Sequence, residues 1–125
     1  MENAIMPEKT ILVIDDDADI LLFCKSLLEA HGYLVKTANS GAAGLAAAAS
    51  EKPDLIILDI MMERINTGYE VAETLGRDIP ILIFSSMLNP SDTVFDVESA
   101  PWRDMIPKPI EGEILLAKVR EHLGV

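Results

Sequence analysis

The sequence predicts an α/β fold, an all-parallel five-stranded sheet with helices on both faces, in a single domain of 125 residues. Three observations carry this. Strand-like and helix-like segments alternate five times along the chain, the order that builds parallel sheets. Two of the strand segments, Ile11 to Ile14 and Leu55 to Leu58, are unbroken aliphatic runs, as expected of strands covered on both faces. Finally, the strand segments end in polar residues, and the carboxyl ends of strands in an open α/β sheet are where ligands bind.

Residues 1–8 read as a short leader ending near Pro7, and residues 9–125 as the domain, with no output domain after the last helix. Thr10 to Ile14 is the first strand and runs into Asp15-Asp16-Asp17. Asp17 or Asp19 then caps a helix whose apolar positions Ile20, Leu21, Cys24, Leu27 and Leu28 recur at helical spacing. His31-Gly32 closes it, glycine being the usual residue just past a helix end. Tyr33 to Ala38 is a second strand, less apolar and nearer an edge. Ser40 starts a second helix through the alanine-rich stretch Gly44 to Ala49, which ends before Pro53.

The third strand, Leu55 to Asp59, leads into a loop over Met62 to Thr67 and a short helix opened by Gly68 and carrying Val71, Ala72 and Leu75. Pro80 to Phe84 is the fourth strand, ending in Ser85-Ser86. Asn89-Pro90-Ser91-Asp92 gives a turn and the start of a fourth helix through Val94, Phe95 and Val97. Asp104 to Lys108 is the fifth strand, and Pro107 within it belongs at a sheet edge, since proline has no N–H to donate. Glu111 to Leu123 is a last amphipathic helix through Leu115, Leu116, Val119 and Leu123.

Composition excludes several function classes. A formal net charge of -11 argues against direct binding of nucleic acid, which demands a basic footprint, and against anionic membrane surfaces. The single cysteine, Cys24, allows no intrachain disulfide and no cysteine metal cluster. The N-terminus has neither a basic lead nor an apolar run, so a cytoplasmic location is expected.

Asp15 and Asp16 end the first strand, Asp59 the third, Ser85 the fourth and Lys108 the fifth. Parallel strands present their carboxyl ends on one edge, so these five side chains can converge. Three carboxylates in one cleft repel one another unless a cation binds. An oxygen-only site with open positions suits Mg2+, which usually completes its shell with water and phosphate oxygens. Lys108 and Ser85 then supply a point charge and a hydroxyl for those phosphate oxygens. Asp59, the central acid, is placed to be a nucleophile forming an aspartyl-phosphate. Singly, each residue has an ordinary explanation: Asp59 caps the next turn, Ser85 ends a turn, Lys108 is a solvated loop charge. The set on successive strands does not reduce to those.

Ile-Leu-Val-Ile-Asp15-Asp16-Asp17, Leu-Ile-Ile-Leu-Asp59-Ile-Met-Met, Ile-Leu-Ile-Phe-Ser85-Ser86 and Lys108-Pro109 resemble the receiver domain of two-component response regulators, over residues 9 to 123. The resemblance implies a flavodoxin-like fold with strand order 2-1-3-4-5. It implies that Asp59 takes a phosphoryl group from a sensor histidine kinase or a histidine phosphotransfer protein. Asp16 would hold Mg2+ directly, Asp15 through water, and the Met61 carbonyl would add a ligand beside Asp59. Lys108 would pair with the phosphoryl group, the Ser86 amide would help hold its oxygens, and Ser85 would swing toward it. Such a protein assists its own phosphorylation and dephosphorylation without being an enzyme in the turnover sense. Its output would be a downstream effector or a self-dimer, through the face of the fourth helix and fifth strand.

The sequence departs from the family pattern at several places. Position 105, where the family usually carries Phe or Tyr, is Met105, a flexible side chain without a defined two-state flip. Ser85 replaces the commoner Thr, which removes the methyl that restricts its rotamer. Glu63 stands where the family has Pro, and Gly68 falls one position later than usual, which points to altered kinase choice or phosphate lifetime. Phe95 and Trp102 flank the output face, and the simpler reading makes Phe95 core and Trp102 its cover. His31 and His122 sit at helix ends, where a cation suits the dipole. Two rival readings use the same residues. A haloacid-dehalogenase-type phosphatase would make Asp15 the nucleophile and Asp17 the acid/base, leaving Asp59 unexplained. A receiver-fold binding module would keep the fold without a phosphate switch.

Overall fold

The computed structural model describes residues 8–59, 67–75, 78–85 and 102–124, without the side chains of 67–70 and 85. The strands are β1 (Thr10–Ile14), β2 (Leu34–Ala38), β3 (Leu55–Asp59), β4 (Ile81–Ser85) and β5 (Asp104–Pro107). The helices, numbered as described, are α1 (Ala18–Ala30), α2 (Gly41–Glu51), α3 (Thr67–Leu75) and α4 (Gly112–Leu123). All pairings are parallel and the sheet order is β2-β1-β3-β4-β5, the flavodoxin-like order. The fourth helix read from Asn89 onward, the loop after Asp59, Phe95 and the leader up to Pro7 lie outside the described residues.

Burial tracks strand position. β3, at the centre, is buried at every residue, and β1 at four of five, so both read as aliphatic runs. β2 at one edge alternates between buried Val35 and Ala38 and exposed Leu34, Lys36 and Thr37. β5 closes the other edge, where Pro107 removes no hydrogen bond the sheet needs.

Because side chains alternate along a strand, the sheet has two apolar faces. One carries Ile11, Val13, Leu55, Ile57, Leu82, Phe84 and Ile106, covered by Cys24 and Leu28 of α1 and by Leu115 and Val119 of α4. The other carries Leu12, Ile14, Ile56, Leu58, Ile81 and Ile83, covered by Ala48 of α2 and by Val71 and Ala72 of α3. Half-buried Trp102 and Met105 pack against this second face. Five strands covered on both sides give three layers, helix–sheet–helix.

Local chemistry sets the boundaries. The Asp17 carboxylate accepts from the Asp19 amide to cap α1, and α1 ends at His31 with Gly32 at φ 94. The His31 ring lies 3.0 Å from the Leu27 carbonyl oxygen, within the last turn. Tyr33, read from sequence as strand, belongs to the turn: its amide donates back to the Leu28 carbonyl at 3.2 Å. Ser40 caps α2 by accepting from the Ala43 amide, and Lys52 ends that helix in the left-handed region at φ 47, directly before Pro53. β5 stops at Pro107, so Lys108 stands just past the strand rather than in it. At the opposite edge of the sheet, Asp54 ties β3 to β1 by accepting from the Thr10 amide at 2.8 Å and donating its own amide to the Thr10 carbonyl at 2.8 Å.

Gly44 is required by close approach. A Cβ there would lie 2.6 Å from Ile14 Cδ1 and 3.0 Å from Ile14 Cγ1 and Cγ2, and Ile14 is fully buried at the end of β1. The missing side chain lets α2 seat directly on the strand that leads into the acidic residues. Gly44→Val is expected to lower the free energy of unfolding by about 1–3 kcal/mol. The urea midpoint measures this, and an unchanged midpoint would show that Ile14 repacks freely.

Candidate functional site

The site is the top row of one sheet face. Ile11 and Val13 lead by alternation to Asp15, Leu55 and Ile57 to Asp59, Leu82 to Phe84, and Ile106 to Lys108. Four strands therefore place Asp15, Asp59, Phe84 and Lys108 on the same side of the sheet, at its carboxyl edge. The register reinforces this, since Asp59 pairs with Phe84 and Phe84 with Ile106. The acids are polar continuations of apolar rows, which is why they are deeply covered: Asp15 is 0% and Asp59 6% exposed.

Lys108 bridges the two acids. Its Nζ lies 3.2 Å from Asp59 Oδ2 and 3.3 Å from Asp15 Oδ2, and 5.9 Å from the centroid of the Phe84 ring. The Asp17 amide donates to Asp15 Oδ1 at 2.9 Å, so the turn that starts α1 also orients this carboxylate. Asp16 is exposed beside them, and oxygens of Asp15, Asp16 and Asp59 lie within 4.8 Å of one another. Three carboxylates offering oxygen alone are a donor set for a hard cation. Ser85 ends β4, next to the row that holds Phe84. Met61 and Ser86, the other two site residues read from sequence, lie outside the described residues.

The electrostatics arise from burial. Desolvation pushes the Asp15 carboxyl above its usual range; the Asp17 amide pulls it back, while the charge of Asp59 pushes it further up. For Lys108, burial pulls the ammonium down, but the charges of Asp59 and Asp15 outweigh that and hold its pKa above the ordinary lysine value. Beneath the site, desolvation and the Asp15 charge push the Cys24 thiol up to about 12, so it stays protonated and serves as core.

A second polar cluster, not read from the sequence, joins β5 to α4. Asp104 Oδ2 accepts from Lys118 Nζ at 2.8 Å and lies 3.1 Å from His122 Nε2. Asp104 Oδ1 accepts from Lys118 Nζ at 3.0 Å and from the Met105 amide at 2.8 Å. Burial raises the Asp104 pKa, and the donors Lys118, His122 and the Met105 amide more than reverse it, leaving it below the usual range. Lys118 and His122 are one helical turn apart, the signal that both meet a single strand residue. This cluster fastens α4 over the strand that delivers Lys108.

A doubly wound parallel sheet with clustered acids and a lysine at its carboxyl edge defines an α/β domain with its polar residues at the edge where such sheets bind ligands. The model of the response regulator receiver domain matches residues 11–120, and the chain belongs to that family. Response regulator MprA of Mycobacterium ulcerans (strain Agy99) is 37% identical over 116 residues, which is 90% of this chain and 49% of that protein. The MprA of Mycobacterium leprae (strain TN) is 36% identical over the same length. The chain thus spans about half the length of these relatives. Among solved structures, the CheY-like receiver domain protein of Methanospirillum hungatei JF-1 superposes with a TM-score of 0.83 at 30% identity, covering 94% of this chain and 95% of that one. Chemotaxis response regulator CheY4 of Vibrio cholerae superposes with a TM-score of 0.85 at 25% identity, covering 94% and 100%. No described helix is long and apolar enough to cross a membrane.

The raised pKa of Asp15 has a consequence for stability. Its folded pKa lies above the unfolded value of 3.8, so folding binds that proton more tightly. The stabilisation is complete below the unfolded pKa and is lost as pH rises through the folded one. Ionised Asp15 therefore destabilises the cation-free fold at neutral pH. Asp15→Asn is expected to raise stability by about 1 kcal/mol at pH 7 without divalent cations. The gain should shrink toward pH 3, as read from urea midpoints at both pH values.

Proposed function

We propose that Asp59 is the phosphoacceptor, taking its phosphoryl group from a sensor histidine kinase or a histidine phosphotransfer protein. The observation that carries this reading is the Lys108 ammonium held between Asp59 and Asp15 at 3.2 and 3.3 Å. One cation already shared by two buried carboxylates is placed to meet the phosphoryl oxygens that would arrive on Asp59.

Asp15, Asp16 and Asp59, with the Met61 carbonyl, are the residues that would hold Mg2+. The fit rests on the oxygen-only donor set and, among the described residues, on three carboxylates against the one ammonium of Lys108. When bound, the metal would neutralise charge on the transferring phosphoryl group. The remaining steps belong to the chain. An Asp59 carboxylate oxygen attacks phosphorus, the phosphorus–nitrogen bond to the donor imidazole breaks, and the electron pair returns to that nitrogen. Lys108 pairs with the oxygens of the new acyl phosphate. The Ser86 amide and Ser85 hydroxyl donate to the same group, and Ser85 reports its presence to the face near β5. The protein takes part in its own phosphorylation and does not turn over as an enzyme. Residues 9–125 form the receiver unit, and output runs through an effector or a second copy at the face around β5.

Intact mass after incubation with acetyl phosphate and Mg2+ tests the assignment. A gain of one phosphoryl group is expected, absent in Asp59→Asn and absent without divalent cation. A gain that survives Asp59→Asn would reassign the acceptor.

Met105 bears on transmission. It is half-buried on the second sheet face, while the acids lie on the first, and its amide is tied to Asp104. Its flexible side chain repacks without a discrete flip, so Met105→Tyr is expected to enlarge the phosphorylation-dependent change in partner affinity several-fold. Equal coupling in the two proteins, measured by partner affinity with and without beryllofluoride, would contradict this.

A further inference from the structure

Lys108 has a third partner besides the two acids. The Phe84 ring is fully buried, and Lys108 Nζ stands over it, 5.9 Å from the centroid. Phe84 occupies the strand between β3 and β5, in register with Asp59 on one side and Ile106 on the other. The ring therefore underlies the gap that the ammonium spans. The face of an aromatic ring carries partial negative charge and attracts a cation, more so where one side of the pair is buried, as the Phe84 ring is.

We propose that the Phe84 ring is the platform that keeps the Lys108 ammonium aimed into the acidic pocket, making Phe84 a positioning residue for phosphoryl transfer to Asp59. In the resting protein Lys108 is held by three attractions: Asp15, Asp59 and the ring. A divalent cation on the same carboxylates weakens two of them, because their oxygens become shared. Esterification of Asp59 then removes that carboxylate's own charge. The ring's attraction persists through both changes, since it depends on neither the metal nor the ionisation of the acids. Without it, a four-carbon side chain at the half-exposed end of β5 would be free to swing into solvent just as the phosphoryl group arrives. An aliphatic residue at position 84 would fill most of the same core volume and give no such hold. Phe84 thus has two roles, core packing below and cation steering above, and only the second depends on the ring's electrons.

The inference rests on the phosphoacceptor reading for its kinetic arm and is independent of it for its spectroscopic arm. The test uses the full chain with Phe84 replaced by 4-fluoro-, 3,5-difluoro- and 3,4,5-trifluoro-phenylalanine, which withdraw charge from the ring face stepwise at nearly constant shape. At saturating Mg2+, the rate constant for phosphoryl gain from acetyl phosphate is expected to fall stepwise, by about two- to five-fold across the series. The urea midpoint should stay level, with Phe84→Leu at or beyond the slow end. Equal rate constants across the series would overturn the platform and leave Phe84 as packing alone. If the unsubstituted protein gains no phosphoryl mass, the phosphoacceptor reading fails separately. The Lys108 ε-methylene resonances then decide the platform: a stepwise shift with fluorination upholds it, and unmoved resonances overturn it.

Discussion

Two carboxylates buried against one ammonium are the constraint on which the rest of this structure depends. Asp15 and Asp59 have almost no exposed surface, and burying ionised groups is strongly unfavourable unless opposite charge and hydrogen bonds accompany them. Lys108 supplies the charge and the Asp17 amide supplies one of the bonds. Among the described residues the balance is still negative, more so with Asp16 beside them. An oxygen-only row of this kind, with negative charge in excess among the described residues, suits a hard cation.

The surrounding architecture holds that arrangement in place. Parallel strands bring β1, β3 and β5 to one edge, and alternation puts Asp15, Asp59 and Lys108 on one face. Gly44 lets α2 close onto Ile14, directly below Asp15. The Asp104 cluster clasps α4 to β5, fixing the strand whose next residue is Lys108. Phe84 stands between β3 and β5 under the bridge itself. Packing on the first sheet face and charge at its rim are one continuous structure.

Much of this is legible in the sequence, because its strongest signals are local. Aliphatic runs identify β1 and β3, and the rule that parallel strands share an edge brings Asp15 and Lys108 together across 93 positions. Pro107 marks the sheet edge, and Asp17, Ser40 and Gly32 mark helix ends by their own chemistry. What the sequence does not yield depends on rotation of one element against another. Asp104 meets Lys118 and His122, 14 and 18 positions away, only because α4 lies across β5 at a particular angle. His122 accordingly reads from sequence as a helix-end cation, without its acid partner. Phe84 reads simply as core, since alternation shows which face a ring joins but not what stands above it.

The most direct test of the account is the urea unfolding midpoint as a function of Mg2+ concentration at pH 7, with ionic strength matched by NaCl to remove general screening. Relief of the buried negative charge by a cation bound only to the folded state predicts a rise that continues with concentration, reaching about 2.7 kcal/mol at a hundred times the dissociation constant. A midpoint that does not move with Mg2+ would mean that the acids are satisfied without a cation, and would contradict the account at its centre.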